Sequence, residues 1–193
     1  PSNGESPLTI AKPFDLWRTT GVIGEGACVC IIEPETSPRA GLAKIKGYGY
    51  STDYASNPGT GLSHAMQLCI SNAEMPIDGV EAISAWGPGH KEIDAMEACA
   101  INRVFGASSR KTPVCSIKGA IGNPFAAAGA LQVAAAVFGL CESIILPTVN
   151  WSVKDPDCDL DLSNQPRFIP HSNVLVNAHG VSGTNTCVLI EKC

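Results

Sequence analysis

The sequence predicts an α/β layered domain, and three observations lead to that prediction. Strand-like and helix-like stretches alternate along most of the 193 residues. Helical segments carry apolar residues at three- and four-residue spacing, whereas strand segments are short, apolar and rich in β-branched residues. Two strand-like runs close the chain with only a Gly-rich turn between them, which reads as an antiparallel pair layered with the helices.

Taken in order, "GACVCIIEP" (26–34) reads as a fully buried strand of small and β-branched residues. "SPRAGLA" (37–43) reads as a short helix opened by Ser37 with Pro38 at its first position. "KIKGYGYSTDY" alternates and reads as a strand, and a helix is predicted near 60–73. "VEAISAW" is the next strand, and "HKEIDAMEACAINRVFG" is an amphipathic helix stopped by Gly106. "TPVCSI" is a short strand. "PFAAAGALQVAAAVFGLC" is a helix with one polar residue, Gln132, and such a helix should be buried on every side. A single sheet covers one face, so a second layer from another segment or chain is expected over the rest. Residues 150–170, rich in Asp, Pro and Asn, read as an ordered surface loop, and "SNVLVNAHG" and "TNTCVLIEKC" are the closing strands.

Composition narrows the function. One domain of ordinary size, or half of a larger two-part molecule, is expected from the length. The hydrophobic fraction of 45% fills a sizeable core, and the low charged fraction of 16% suggests a surface that meets other protein. The net charge of −5, with no Lys/Arg cluster, argues against nucleic acid. No signal peptide and no apolar run of membrane length are expected, which points to a cytoplasmic protein without a membrane role. Nine cysteines form neither a disulfide framework nor a zinc pattern, and they read as small buried hydrophobes in a reducing compartment. Cys28 and Cys30 share one face of a strand but lack a second pair nearby, so no metal site is expected. Asn150-Trp151-Ser152 matches a glycosylation acceptor by chance. The start at Pro1 is expected of a piece of something longer.

The order of motifs resembles the C-terminal half of a β-ketoacyl-[acyl-carrier-protein] synthase of the elongating, thiolase-fold type. The blocks that carry the resemblance are "AKPFDLWRTTGVIGEGA", "ILPTVNWSVKDPDCDLDL" and "NAHGVSGTNTCVLIE", together with two motif frames. The resemblance spans nearly the whole chain and implies a mixed sheet layered with helices that packs on an N-terminal half. It also implies a cysteine nucleophile on that other half and two histidines on this one, which help decarboxylate a malonyl thioester and stabilise the enolate. In the first frame the family has His-Gly-Thr, then Asp eight residues and Glu eleven residues after the His. Here Trp86 holds the His position, while Asp94 and Glu97 keep theirs. In the second frame Lys118 and Gly122 are kept, Asn123 holds the His position, and Gln132 holds that of the family's acid.

An indole N–H donates one hydrogen bond and takes up no proton near neutral pH, and a carboxamide does no acid/base work. The resemblance therefore implies a degenerate site with no intact catalytic residue. Lys118, Asp94 and Glu97 would be its retained charged network, with Lys118 expected to pair with Asp94. His179, Gly180, Val181 and Gly183 are the expected pocket residues, Val181 standing where the family has a gate-like aromatic. His90, four residues after Trp86, is expected to open a helix rather than replace the lost imidazole. No cofactor is implied. The expected partners are the N-terminal half, a ketosynthase in a homo- or heterodimer, and an acyl carrier protein. The preferred role is a non-catalytic, chain-length-factor-type subunit of fatty-acid or polyketide synthesis. The alternatives are an altered acyltransferase working through Asn123 and His179, or a thiolase-fold scaffold with no acyl ligand.

Overall fold

The computed structural model describes residues 6–53, 59–180 and 182–193. After a short helix α1 (Pro7–Ile10) come β1 (Ala43–Thr52), α2 (Thr60–Asn72), β2 (Ile83–Ser84), α3 (Lys91–Phe105) and β3 (Val114–Cys115). They are followed by α4 (Lys118–Ile121), α5 (Ala128–Glu142), β4 (Asn173–His179) and β5 (Thr184–Lys192). The strands form one mixed sheet in the order β1-β5-β4-β2-β3. The β1/β5 and β5/β4 pairs are antiparallel, and β2 lies parallel to both β4 and β3. The closing strands are thus antiparallel neighbours, with Val176 opposite Val188.

The "GYG" of β1 sets how closely α2 sits on the sheet. A Cβ on Gly49 would lie 2.0 Å from the Ala65 carbonyl oxygen, and one on Gly47 would lie 2.4 Å from that of Cys69. Only glycine allows that approach. α2 then buries Leu62, Ala65, Met66, Cys69 and Ile70. Beside it α3 buries Ala98, Ile101, Val104 and Phe105, and Gly106 (φ 54°) ends the helix. These faces meet Ile83, Leu175 and Leu189 of the sheet in the larger core cluster. Each fully buried Leu or Ile there contributes about 1.5–3 kcal/mol relative to exposure.

On the opposite face of the sheet α5 packs over β4 and β5, through Ala136 and Leu140 against Val174, Val176 and Ile190. Only Ala128, Gln132, Ala136, Gly139 and Leu140 of α5 are buried, and Phe138 on its other side is 54% exposed. Nothing among the described residues covers that side. An apolar groove of about 320 Å³, lined by Ile121, Leu131, Ala135, Leu146 and Pro147 among others, runs beside it.

Three expectations need correction. Residues 26–34 form no strand, and Val29, Ile31 and Ile32 are 91%, 82% and 74% exposed. The apolar pattern is that of a strand, but a strand needs a neighbour for its backbone groups, and the edges of this sheet are β1 and β3. Residues 37–43 form no helix: 37–42 are irregular with bends, the Arg39 N–H is bonded to Ser37 Oγ at 3.3 Å, and Ala43 already opens β1. So short a segment, with no face to bury, does not repay helix nucleation. Finally, the segment Phe125–Glu142 is long and apolar enough to cross a membrane by length and composition, contrary to the expectation of no such run. In this structure its buried face is the one that packs on the sheet.

Candidate functional site

The turn 86–89 leaves the sheet at the end of β2, where Ala85 is still held by its N–H to the Cys115 carbonyl at 2.8 Å. Glu97 clamps this turn, its two carboxylate oxygens accepting the peptide N–H groups of Trp86 (2.9 Å) and Gly87 (2.7 Å). Asp94, one helical turn earlier on α3, accepts the N–H groups of Gly89 (3.1 Å) and Phe14 (2.7 Å). The spacing in the first motif frame therefore has a local cause. Residues three apart share a helix face, and both carboxylates on that face cap the N–H groups of the turn before the helix. Gly87 and Gly89 adopt φ of 30° and 87°, and a Cβ on Gly87 would meet the Phe14 ring at 2.5 Å.

Asp94 is fully buried, and burial pushes its carboxyl up to about 7, helped by the neighbouring Glu97. The Phe14 N–H and Arg18 pull the other way; Arg18 Nε lies 3.6 Å from Asp94 Oδ2. Arg18 is itself buried and also bonds Asp155 and the Lys91 carbonyl. It ties the 12–18 segment to the start of α3.

Lys118 does not pair with Asp94 as expected. Its Nζ donates to Gln132 Oε1 at 2.9 Å and lies 5.5 Å from the centroid of the Trp86 ring. The Gln132 amide is committed on its other side, where Nε2 donates to the carbonyls of Ala85 (2.9 Å), Asn177 (3.0 Å) and Ser84 (3.3 Å). An amide can bridge a cation and these carbonyls, its two hydrogens serving Ala85 and Asn177 with Ser84 sharing one at the longer distance, whereas a carboxylate has no N–H to offer them. Burial lowers the Lys118 ammonium to about 8, opposed by the nearby charges of Glu97 and Asp94.

Trp86 is 7% exposed, and the His179 ring meets it edge-on with centroids 5.4 Å apart. His179 Nδ1 lies 2.7 Å from Asn185 Oδ1, Asn185 Nδ2 donates to Asp53 Oδ2 at 3.0 Å, and Asp53 Oδ1 accepts the Gly61 N–H at 2.7 Å. Gly180 and Gly183 shape the turn that returns the chain to β5. The Gly180 N–H bonds the Thr184 carbonyl at 2.7 Å, and Gly183 has φ of 81°. Val181 lies outside the described residues.

Asn123 is held by its own backbone, its N–H to the Val22 carbonyl at 2.7 Å and its carbonyl to the Gly24 N–H at 3.0 Å. Its Oδ1 accepts the Phe125 N–H at 3.3 Å, so the carboxamide oxygen caps the start of the following turn. Among the described residues, no hydrogen bond or ring contact joins it to Trp86. His90 stands at the N-cap of α3 with Nδ1 buried and without a hydrogen-bond partner among the described residues. No group of three or more His, Cys, Asp or Glu side chains among the described residues is placed to hold a metal ion. The Sγ atoms of Cys28 and Cys30 lie 3.9 Å apart.

Sequence reasoning passed over Arg18, Asp53, Asn177 and Asn185. Asn177 Nδ2 donates to Glu97 Oε1 at 3.2 Å, and its Oδ1 accepts from Cys187 Sγ at 3.2 Å. The available signal was asparagine inside apolar strands, where it is depleted unless a buried partner holds it.

The sheet thus carries α2 and α3 on one face and α5 on the other, and the carboxylate-clamped turn leaves it at the end of β2. Residues 42–152 match the family model described as "Beta-ketoacyl synthase, C-terminal domain", and the chain belongs to that family. A Streptomyces cyaneus protein named as a polyketide beta-ketoacyl synthase 1 is 31% identical over 200 aligned residues, which cover 97% of this chain and 47% of that protein. Nodulation protein E of Rhizobium leguminosarum bv. trifolii is 36% identical over 189 residues, 94% of this chain and 47% of the relative. This chain thus spans about half the length of these relatives. Among solved structures, the ishigamide ketosynthase/chain length factor superposes with a TM-score of 0.91 at 28% identity, over 98% of this chain and 48% of that one. A type II polyketide synthase acyl-carrier protein in complex with its ketosynthase gives a TM-score of 0.88 at 26% identity, over 100% of this chain and 50% of that one.

Proposed function

We propose that this chain is the C-terminal half of a ketosynthase-like subunit of polyketide or fatty-acid synthesis that carries out no condensation itself. It acts as the chain-length-factor-type partner of an active ketosynthase and shapes the channel in which a carrier-borne acyl chain is held. The observation that carries this reading is the seating of Trp86. At the first motif position where the family offers an imidazole, a buried indole is clamped through its backbone by Glu97, flanked by Lys118 and met edge-on by His179.

The chemistry follows from the groups present. Condensation needs N–H donors that stabilise a developing enolate and a group that exchanges protons, and one missing oxyanion donor alone costs about 10²–10³ in rate. Trp86 fills volume and cannot accept a proton, and the Asn123 oxygen is spent on a backbone N–H. The kept clamp of Glu97 and Asp94 holds the turn in shape without needing catalysis. The likeness to a ketosynthase/chain length factor structure supports the same reading. The open face of α5 and the groove beside it suit the other half of the subunit.

The test is product analysis. The full-length protein, combined with an active ketosynthase and an acyl carrier protein, is expected to set product length, and Trp86→Ala to lengthen the products without changing total condensation. Products unchanged in length by Trp86→Ala contradict the assignment.

A further inference from the structure

The Asp53–Asn185–His179 chain fixes which nitrogen of His179 carries the proton. Asn185 Nδ2 points at two acceptors, Asp53 Oδ2 at 3.0 Å and the Gly183 carbonyl at 3.1 Å. A flipped amide would set its oxygen against both, so the orientation is determined and Oδ1 faces His179. An oxygen that only accepts sits 2.7 Å from His179 Nδ1, so in the neutral ring Nδ1 is the protonated nitrogen. The Asp53 carboxylate, 3.9 Å from the same nitrogen, favours the same tautomer.

Nε2 is left with its lone pair. It has no hydrogen-bond partner among the described residues, yet it is not sealed from solvent, the side chain being 12% exposed. The Trp86 edge contact holds the ring plane. A fixed acceptor thus stands next to the residue taken to wall the acyl channel.

We propose that His179 is a binding residue whose Nε2 accepts a hydrogen bond from an O–H or N–H donor on a carrier-borne acyl thioester. Two parts of such a ligand carry that chemistry, a hydroxyl or enol on the acyl chain and an amide N–H of the pantetheine arm. The inference rests on the proposed function, because it takes an acyl thioester to enter this site. A phenyl ring at position 179 would offer no such acceptor.

The test uses the full-length protein and two unreactive probes that add no N–H donor at the thioester position, a saturated S-alkyl pantetheine thioether and its hydroxyl-bearing counterpart of equal length. One net hydrogen bond corresponds to about a 2- to 10-fold change in Kd. If the chain hydroxyl is the donor, His179→Phe weakens only the hydroxyl-bearing probe by that factor. If the pantetheine amide is the donor, the variant weakens both probes equally. Unchanged Kd for both probes overturns the proposal and leaves the proposed function standing, whereas failure of the unsubstituted protein to bind either probe overturns both. Independently of any variant, ¹⁵N NMR of histidine-labelled protein is expected to show Nδ1 protonated and Nε2 as the bare nitrogen in the neutral His179 ring, and the opposite pattern overturns the proposal.

Discussion

Lys118 Nζ and Gln132 Oε1 lie 2.9 Å apart at the centre of this site, so the buried cation is answered by an amide where the family resemblance puts an acid. The same amide donates to three backbone carbonyls from β2, its exit and β4. Among the described residues, Gln132 is therefore the side chain that joins α5, α4 and the sheet by hydrogen bonds.

Replacing it tests that junction. Gln132→Leu keeps the bulk but leaves a buried ammonium and three carbonyls without their partner. The expected loss of stability is about 2–4 kcal/mol, read as a lower midpoint in urea with an unchanged slope. A loss below about 1 kcal/mol would show that the carbonyls find other donors.

Lys118 gives a pH signature. Its ammonium is lowered from 10.5 to about 8 in the fold. Between those values the unfolded chain keeps the proton that the folded chain has released. The unfolded state then binds more protons, so stability rises as pH climbs through that window. Below about 8 both states are protonated and the cost of burying the charge is fully present. The expected gain between pH 8 and 10.5 is at most about 3 kcal/mol, absent in Lys118→Met. A stability curve of the same shape in that variant would assign the rise to other groups.

The close seat of α2 on β1 yields a stability test remote from the site. Gly49→Ala places a methyl 2.0 Å from the Ala65 carbonyl oxygen, which is backbone and cannot swing aside. Overpacking of this kind costs about 1–3 kcal/mol and here is expected at the upper end or beyond. Thermal unfolding of the variant measures it, and an unchanged Tm would mean that α2 is free to lift from the strand.

Much of the fold was legible wherever a segment's pattern is satisfied by its own neighbours. α2 and α3 fall where apolar spacing and Gly106 place them, and β4 and β5 pair as their proximity in sequence suggests. Residues 26–34 were misread for the converse reason. Val29, Ile31 and Ile32 have the composition of a buried strand, but among the described residues no strand pairs with them. At the site, the frame of Trp86, Asp94 and Glu97 was visible as spacing because one helix face carries both acids. The Lys118 partner was not, since charge bookkeeping favours an acid, and only the geometry reveals that Gln132 must also donate to three carbonyls. The Asp53–Asn185–His179 chain escaped notice because its members are 132 and 6 residues apart in sequence.

Neither Trp86 nor Asn123 can move a proton at the positions where the family resemblance puts imidazoles. The most direct test is the rate of carbon–carbon bond formation by the purified full-length protein, supplied with acyl and malonyl thioesters on an acyl carrier protein and no other ketosynthase. No product above the uncatalysed background is expected. Sustained elongation by the protein alone, abolished by Trp86→Ala or Asn123→Ala, would contradict it.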